Sequence, residues 1–176
     1  MNRAVLLALN MLAYQCTWFA SVLGAAAGRP ETGLAFAAIT VLWHLHSAPA
    51  PLRELMLVGT ATLTGAAFES LLLASGWVRM SPGELPAFML PLWMVALWAA
   101  FATTLNVSLR ALRNRYALCA LLAGIGAPLA YAAGARLGAL QWTDALRGLL
   151  LVAAGWAVLL PLLMRLARRL DGFAEA

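Results

Sequence analysis

The sequence predicts an all-α protein, a polytopic transmembrane bundle of about six helices that forms one transmembrane domain over residues 1–176. Composition is the first reason, because 64% of the residues are hydrophobic and only 11% are charged. Soluble domains carry roughly a quarter charged residues, so water cannot surround most of this chain. The second reason is that the apolar residues gather in runs, most of them near the ~20 residues that cross a bilayer as a helix.

Segments rich in Pro, Gly and Arg separate the runs and are typical of loops. The predicted spans are, in chain order, 4–27, 33–47, 55–78, 87–109, 116–137 and 145–166. The first run has features of a signal peptide, but it is long and carries Asn10 and Gln15, which favours a retained span. The second run has 15 residues and needs little tilt, or help from its flanks, to cross. The breaks APAP, RMSPGELP, RALRNR and GALQWTD bound the other four.

Arginine placement predicts that both termini are cytoplasmic. All twelve basic residues are arginines, and the net charge is +5. With the N-terminus inside, the cytoplasmic side holds eight of them: Arg3, Arg53, Arg110, Arg113, Arg115, Arg165, Arg168 and Arg169. The opposite side holds four: Arg29, Arg79, Arg136 and Arg147. This asymmetry is a topology signal rather than a nucleic-acid surface. Arginine-only usage with abundant Ala, Leu and Gly is typical of a GC-rich bacterial genome, so we expect a multi-pass protein of the bacterial inner membrane.

The sequence carries no signal for a metal or a cofactor, and we expect neither. Cys16 and Cys119 lie in predicted spans without a CxxC or CxxH context, which favours buried free thiols. G-x-S-x-G, H-E-x-x-H, Walker and paired acidic motifs are missing. The seven acids are scattered, which disfavours metal-dependent prenyl or phosphoryl transfer, because such enzymes hold Mg²⁺ with clustered carboxylates.

A glutamate, Glu69, stands inside the otherwise apolar stretch LTGAAFESLLLASG, residues 63–76. Its spacing from Gly65 and Gly76 places it on the small-residue face that should pack inward. Because an ionisable side chain in hydrocarbon costs on the order of 2.5 to 3.5 kcal/mol, we expect it to be neutral and hydrogen-bonded. Depth along the helices puts Tyr131 and Gln15 near it. A structural hydrogen bond and a functional role both stay open.

A second polar set is predicted nearer to the cytoplasmic side. Its members are Asn10, His44, His46, Thr103, Thr104, Asn106 and Ser108. Interhelical hydrogen bonds explain the Thr, Asn and Ser side chains, and an interfacial position explains the two histidines. His44 and His46 point about 200° apart on a helix, so they do not form a metal site together. The candidate binding residues are therefore Glu69, Tyr131, Gln15, Asn106, Thr103, His44 and Asn10, and catalytic residues stay unassigned.

Two segments carry a resemblance to a known family: PLWMVALWAAFATTLNVSLR, residues 91–110, and GAPLAYAAGARLGAL, residues 126–140. The chain resembles the bacterial inner-membrane proteins grouped as domain of unknown function 2878. Gln15, Trp18 and Phe19, Glu69 and the pair Trp43-His44 fit as well, so the resemblance covers nearly the whole chain. It implies a multi-span protein and, by association with lipid-modifying enzymes, a lipid setting. It implies no established activity, substrate or cofactor.

Three functions are open at this point. The first is an accessory or lipid-handling protein with a buried polar site around Glu69, whose partners would be membrane lipids and a membrane-associated enzyme or a second copy of the chain. The second is a small proton-coupled carrier with Glu69 as its proton site. The third is an intramembrane enzyme acting on a lipid, with Glu69 as acid or base. For this last function His44 is expected ~15 Å or more from Glu69 along the membrane normal, which disfavours a His–Glu couple.

Overall fold

The computed structural model describes residues 2–81 and 89–174, and most of them are helical. The helices are α1 (Arg3–Ala26), α2 (Glu31–Ser47), α3 (Pro51–Ala74), α4 (Leu92–Ala102), α5 (Tyr116–Arg136) and α6 (Ala145–Arg169). Two strands, β1 (Val78–Met80) and β2 (Leu140–Trp142), pair antiparallel, and a 3₁₀ turn covers Arg110–Leu112. The prediction of an all-α helical bundle is confirmed, with this short strand pair as an addition that hydrophobic patterning did not indicate.

Local sequence explains where several helices begin. The Asn2 side chain accepts a hydrogen bond from the Ala4 amide at the start of α1, and Asp144 accepts one from Arg147 at the start of α6. Pro51 opens α3, where its missing N–H costs no helical hydrogen bond. At each of these helix starts, an amide that would otherwise lack a partner either donates to a side chain or is replaced by the proline nitrogen.

Four helices of the described residues, α1, α3, α5 and α6, are long and apolar enough to cross a membrane. Their outer surfaces are apolar: Leu12, Leu63, Leu129 and Leu146 are each at least 60% exposed. Exposed leucines on every long helix are what hydrocarbon, rather than water, would surround. Helix α2 has 17 residues and α4 has 11, so length and composition support four spans, and six spans stays a prediction.

The fourth predicted span, 87–109, differs most from the structure. Its first two residues, 87 and 88, lie outside the described part, and α4 ends at Ala102. The hydroxyls of Thr103 and Thr104 donate to the carbonyl oxygens of Ala100 and Phe101, at 2.7 and 2.6 Å. Backbone bonding then shifts to the tighter i→i−3 pattern. At 1.5 Å per residue, α4 is only ~16 Å long, about half of the hydrocarbon thickness.

The helices run antiparallel, and their connections gather at two ends of the bundle. At one end β1 pairs with β2, and Ala26 at the end of α1 lies beside Gly138. At the other end residues 48–50, 103–115 and 170–174 meet: the Ala50 amide donates to the Gly172 carbonyl at 3.0 Å, and Asn106 donates to the Leu170 carbonyl. We call these the hairpin end and the arginine end. Both chain termini therefore point toward the arginine end.

Candidate functional site

A cavity of about 300 Å³ runs along α4 inside the bundle. Residues of α1, α3, α4, α5 and α6 line it, with Leu109 and Leu112 at the arginine end and Ala139 and Leu140 at the hairpin end. Its walls are almost entirely apolar; the acidic and hydroxyl groups among the lining residues are Glu69, Tyr14 and Tyr131. The volume falls at the lower end of the ~300–1,000 Å³ typical of small-molecule sites.

Helices α1 and α5 do not pack closely against each other on one side of the cavity. Helix α1 packs against α2 and α4, and α5 packs against α6, which leaves a gap between α1 and α5. Trp18 on α1 and Leu122 and Gly126 on α5 line the cavity and remain partly or fully exposed at the surface of the bundle. Part of the cavity lining therefore reaches the apolar outer surface of the bundle beside α1 and α5.

Aromatic rings form much of the cavity wall. The indoles of Trp98 and Trp156 stack with ring centroids 4.6 Å apart, and Phe101 meets both edge-on at 5.7 and 5.0 Å. Tyr14 on α1 meets Phe101 edge-on at 5.9 Å. Such pairs add roughly 0.5 to 1.5 kcal/mol each beyond the area that they bury. These contacts join α1, α4 and α6 along one side of the cavity.

Glu69 lies in this wall and is fully buried. Its Oε1 accepts hydrogen bonds from Trp98 Nε1, at 3.0 Å, and from the Tyr131 hydroxyl. Its Oε2 has no partner among the described residues. The expected contact between Glu69 and Tyr131 is present, but Gln15 is exposed on the outer surface of α1, so the expectation that it neighbours Glu69 is wrong.

Gly65 makes the Trp98 contact possible. Any Cβ at this position would overlap the Trp98 indole ring. Gly65 lies one helical turn before Glu69 on the same face of α3, so the ring crosses the helix at the glycine and reaches the carboxyl. Small residues let neighbouring elements approach closely in membrane bundles, and here the approach supplies a hydrogen-bond donor to a buried acid.

A second buried cluster lies at the arginine end and centres on Glu54, which is 0% exposed. Glu54 Oε2 pairs with His44 Nε2 at 2.8 Å. Glu54 Oε1 accepts from Asn106 Nδ2 and from the Gly172 amide, each at 2.7 Å. His44 Nδ1 has no partner among the described residues. His44 thus has a glutamate partner, but it is Glu54 rather than Glu69.

Asn10 and Thr103, two further candidates, meet each other. Asn10 Nδ2 donates to the Thr103 carbonyl oxygen at 3.2 Å, and the Ser108 hydroxyl donates to Asn10 Oδ1. These bonds join α1 to the turn that follows α4. Neither Asn10 nor Thr103 is among the residues that line the cavity.

Asp171 carries the negative charge that faces the arginines at this end. Its carboxylate contacts Arg113 Nη1 at 2.6 Å and Arg110 Nη2 at 3.2 Å. Burial raises the pKa of Asp171, but the hydrogen bonds from Arg113 and the Phe173 amide and the charges of both arginines outweigh it. The pKa of Asp171 is therefore lowered from its ordinary value.

Sequence reasoning missed Glu54, Trp98 and Asp171. A signal for Glu54 was present in the sequence, because steps of three or four residues through Leu57, Ala61 and Gly65 place it on the same helix face as Glu69. The structure buries all five positions. Trp98 and Asp171 gave no comparable signal. The first is one of seven tryptophans, and the second lies in a short polar tail.

A family model described as "Protein of unknown function (DUF2878)" matches residues 7–162. The match includes Glu54, Glu69 and Tyr131 and ends before Asp171. Neither a curated protein nor a solved structure matches the chain.

Replacing Gly65 by Ala should displace the Trp98 ring and break its hydrogen bond to Glu69. We expect a loss of about 1 to 3 kcal/mol of stability from overpacking, measured by thermal unfolding in detergent, together with altered tryptophan fluorescence. Gly59→Ala on the same helix is the control, because a Cβ there meets nothing within 4 Å. Equal unfolding temperatures and equal tryptophan fluorescence in the two variants would contradict the close Trp98–Gly65 contact.

The lowered pKa of Asp171 predicts an acid-dependent loss of stability. Its carboxylate stabilises the fold fully above the unfolded aspartate value of about 3.9, and this contribution disappears as pH falls through the lower folded value. The difference in unfolding temperature between wild type and Asp171→Asn should therefore be constant between about pH 5 and 7 and shrink below about pH 4. Asp144→Asn, at the hairpin end, is the control. A difference that persists unchanged at the lowest pH would refute the linkage.

Proposed function

The chain belongs to the DUF2878 family, and from the geometry of its cavity we propose that it is a lipid-handling protein that holds the hydrocarbon chain of a membrane lipid between α1 and α5. The observation that carries the proposal is that three lining residues, Trp18, Leu122 and Gly126, also lie at the outer surface of the bundle, which supports a lateral mouth between α1 and α5. A lipid can enter such a mouth from the bilayer without passing through water. A soluble ligand would need an opening at one end of the bundle.

The lining suits a hydrocarbon chain. Leucine, alanine and aromatic side chains supply nearly all of the wall, and the cavity follows α4 from Trp93 to Phe101 and continues to Leu109 and Leu112. At 1.5 Å per residue the α4 portion alone is ~12 Å long. An elongated apolar space parallel to the helices fits an acyl or isoprenoid chain better than a compact polar solute.

Glu69 and Tyr131 supply a polar point in the wall. Both residues line the cavity, and Tyr131 is 9% exposed whereas Glu69 has no exposed surface. Trp156 Nε1 and Glu69 Oε2 lack partners within the described residues. A polar group carried on the bound hydrocarbon chain would meet this donor and acceptor pair, which orients the ligand.

The proposed setting is the bacterial inner membrane, with both termini cytoplasmic and six crossings. The excess of arginines on the proposed cytoplasmic side, eight against four, supports this orientation. The protein would act beside a membrane-associated enzyme or a second copy of itself, to which it would present the bound lipid. The described residues contain no group of three His, Cys, Asp or Glu side chains that could hold a metal.

Closing the mouth should abolish lipid retention. Gly126→Phe places a ring where no atom lies within 4 Å of a Cβ, at the exposed rim on α5. We expect purified Gly126→Phe to lose most of the lipid that copurifies with wild type, measured by native mass spectrometry, with the fold intact. Gly59→Phe, equally open but away from the cavity, is the matched control. If Gly126→Phe copurifies with as much lipid as wild type, the proposal is wrong.

A proton-coupled carrier is the competing function, and Glu69→Gln separates the two. Glutamine keeps an acceptor for Trp98 but cannot ionise, so stability should fall by only about 1 kcal/mol. If the cavity is a lipid site, the Glu69→Gln protein should retain its lipid. Proteoliposomes of wild type and of the variant should then dissipate an imposed pH gradient at the same background rate. Proton flux in wild type that Glu69→Gln abolishes would favour the carrier instead.

A further inference from the structure

The last described residues of the chain dock into the arginine end. Residues 170–174, the C-terminal segment, are held by the Gly172 amide on Glu54, by Ala50 on the Gly172 carbonyl and by Asn106 on the Leu170 carbonyl. A Cβ at position 172 would lie 2.6 Å from Glu54 Cγ and 2.7 Å from the Ala50 carbonyl oxygen. The docking is therefore tight, and it depends on a glycine.

Within this segment, Asp171 occupies a site built by two arginines. Arg110 and Arg113 reach its carboxylate from the same 3₁₀ turn region, and Asn106 accepts from Arg113. The carboxylate does not use every donor, since Arg113 Nε is buried with no partner among the described residues. A phosphate has more acceptor oxygens than a carboxylate and would use this remaining donor.

The arginines lie next to the proposed lipid cavity. Leu109 and Leu112 line its arginine end, and Arg110 and Arg113 directly follow them in the chain. In a 3₁₀ turn, residues three apart share a face, so the leucines form one face and the arginines an adjacent one. A lipid whose chain lies against the leucines would bring its headgroup to this turn.

We propose that Arg110 and Arg113 form a binding site for the anionic phosphate headgroup of a lipid, and that Asp171 occupies this site as an internal substitute until such a lipid displaces the C-terminal segment. This inference rests on the proposed function, because it assigns the headgroup of the lipid whose chain fills the cavity. The same chemistry would accept free phosphate, so the test includes both sources.

The test compares dioleoyl phosphatidylglycerol with dioleoyl phosphatidylcholine, offered in equal amounts to the full-length protein and quantified by native mass spectrometry. Asp171→Asn removes the internal anion, and Gly172→Ala expels the segment without changing any charge. Each should raise the bound ratio of phosphatidylglycerol to phosphatidylcholine about tenfold, the effect of one charge-assisted contact. Adding Arg113→Gln to either variant should return the ratio to the wild-type value while phosphatidylcholine binding persists.

Arg147→Gln is the matched control, because Arg147 also pairs with an aspartate, Asp144, but at the hairpin end. It should leave the ratio unchanged. A ratio that neither Asp171→Asn nor Gly172→Ala raises would overturn the headgroup site while leaving the chain-binding cavity intact. If inorganic phosphate at equal concentration displaces all of the phosphatidylglycerol, the site binds free phosphate, and the assignment to a lipid headgroup is wrong. The single variant Gly126→Phe tests the cavity separately, because closing the mouth should remove both lipids.

Discussion

The buried carboxylate of Glu54 is the point where four parts of the chain are joined. It binds His44 of α2, Asn106 of the turn after α4 and the amide of Gly172, while it is itself in the first turn of α3. In an apolar environment the His44 ring and the Gly172 amide would lack these hydrogen bonds without Glu54, at a cost of several kcal/mol. The carboxylate therefore fixes the path of the chain between α4 and α5, and with it the positions of Leu109, Arg110 and the cavity end.

Lipid-facing helices gain little from the hydrophobic effect when they associate, since hydrocarbon surrounds them both before and after association. Close packing and internal hydrogen bonds must supply specificity, and this chain places both on one face of α3. Gly65 admits the Trp98 ring, and Gly155 of α6 likewise leaves room for the Phe68 ring. Glu54 and Glu69 bracket these contacts on the same buried stripe. Helix α3 thus organises its neighbours through two acids and the small residues between and opposite them.

Sequence patterning could predict the bundle, the inward turn of Glu69 and its contact with Tyr131, because these depend on apolar run length and on helical depth. It could not place Gln15 correctly, since depth leaves the rotational position of a residue on α1 undetermined. The end of α4 at Ala102 was also missed, because Leu105, Val107 and Leu109 kept the polar stretch within the predicted span, while Thr103 and Thr104 turn their hydroxyls onto the preceding carbonyls. Pairing His44 with Glu54 requires the close approach of α2, α3 and the C-terminal segment, which no local pattern encodes.

The two acids on α3 divide the interior along the membrane normal. Fifteen residues separate Glu54 from Glu69, or ~22 Å at 1.5 Å per residue, which is most of the hydrocarbon thickness. The cavity lies largely between these levels, with the Tyr131–Glu69 contact toward the hairpin end and the arginine turn at the other. A lipid that spans them would place its charged group among arginines and its chain beside aromatic rings. Under the proposed function, the Glu69–Tyr131 contact and the arginine turn mark the two ends of one elongated site.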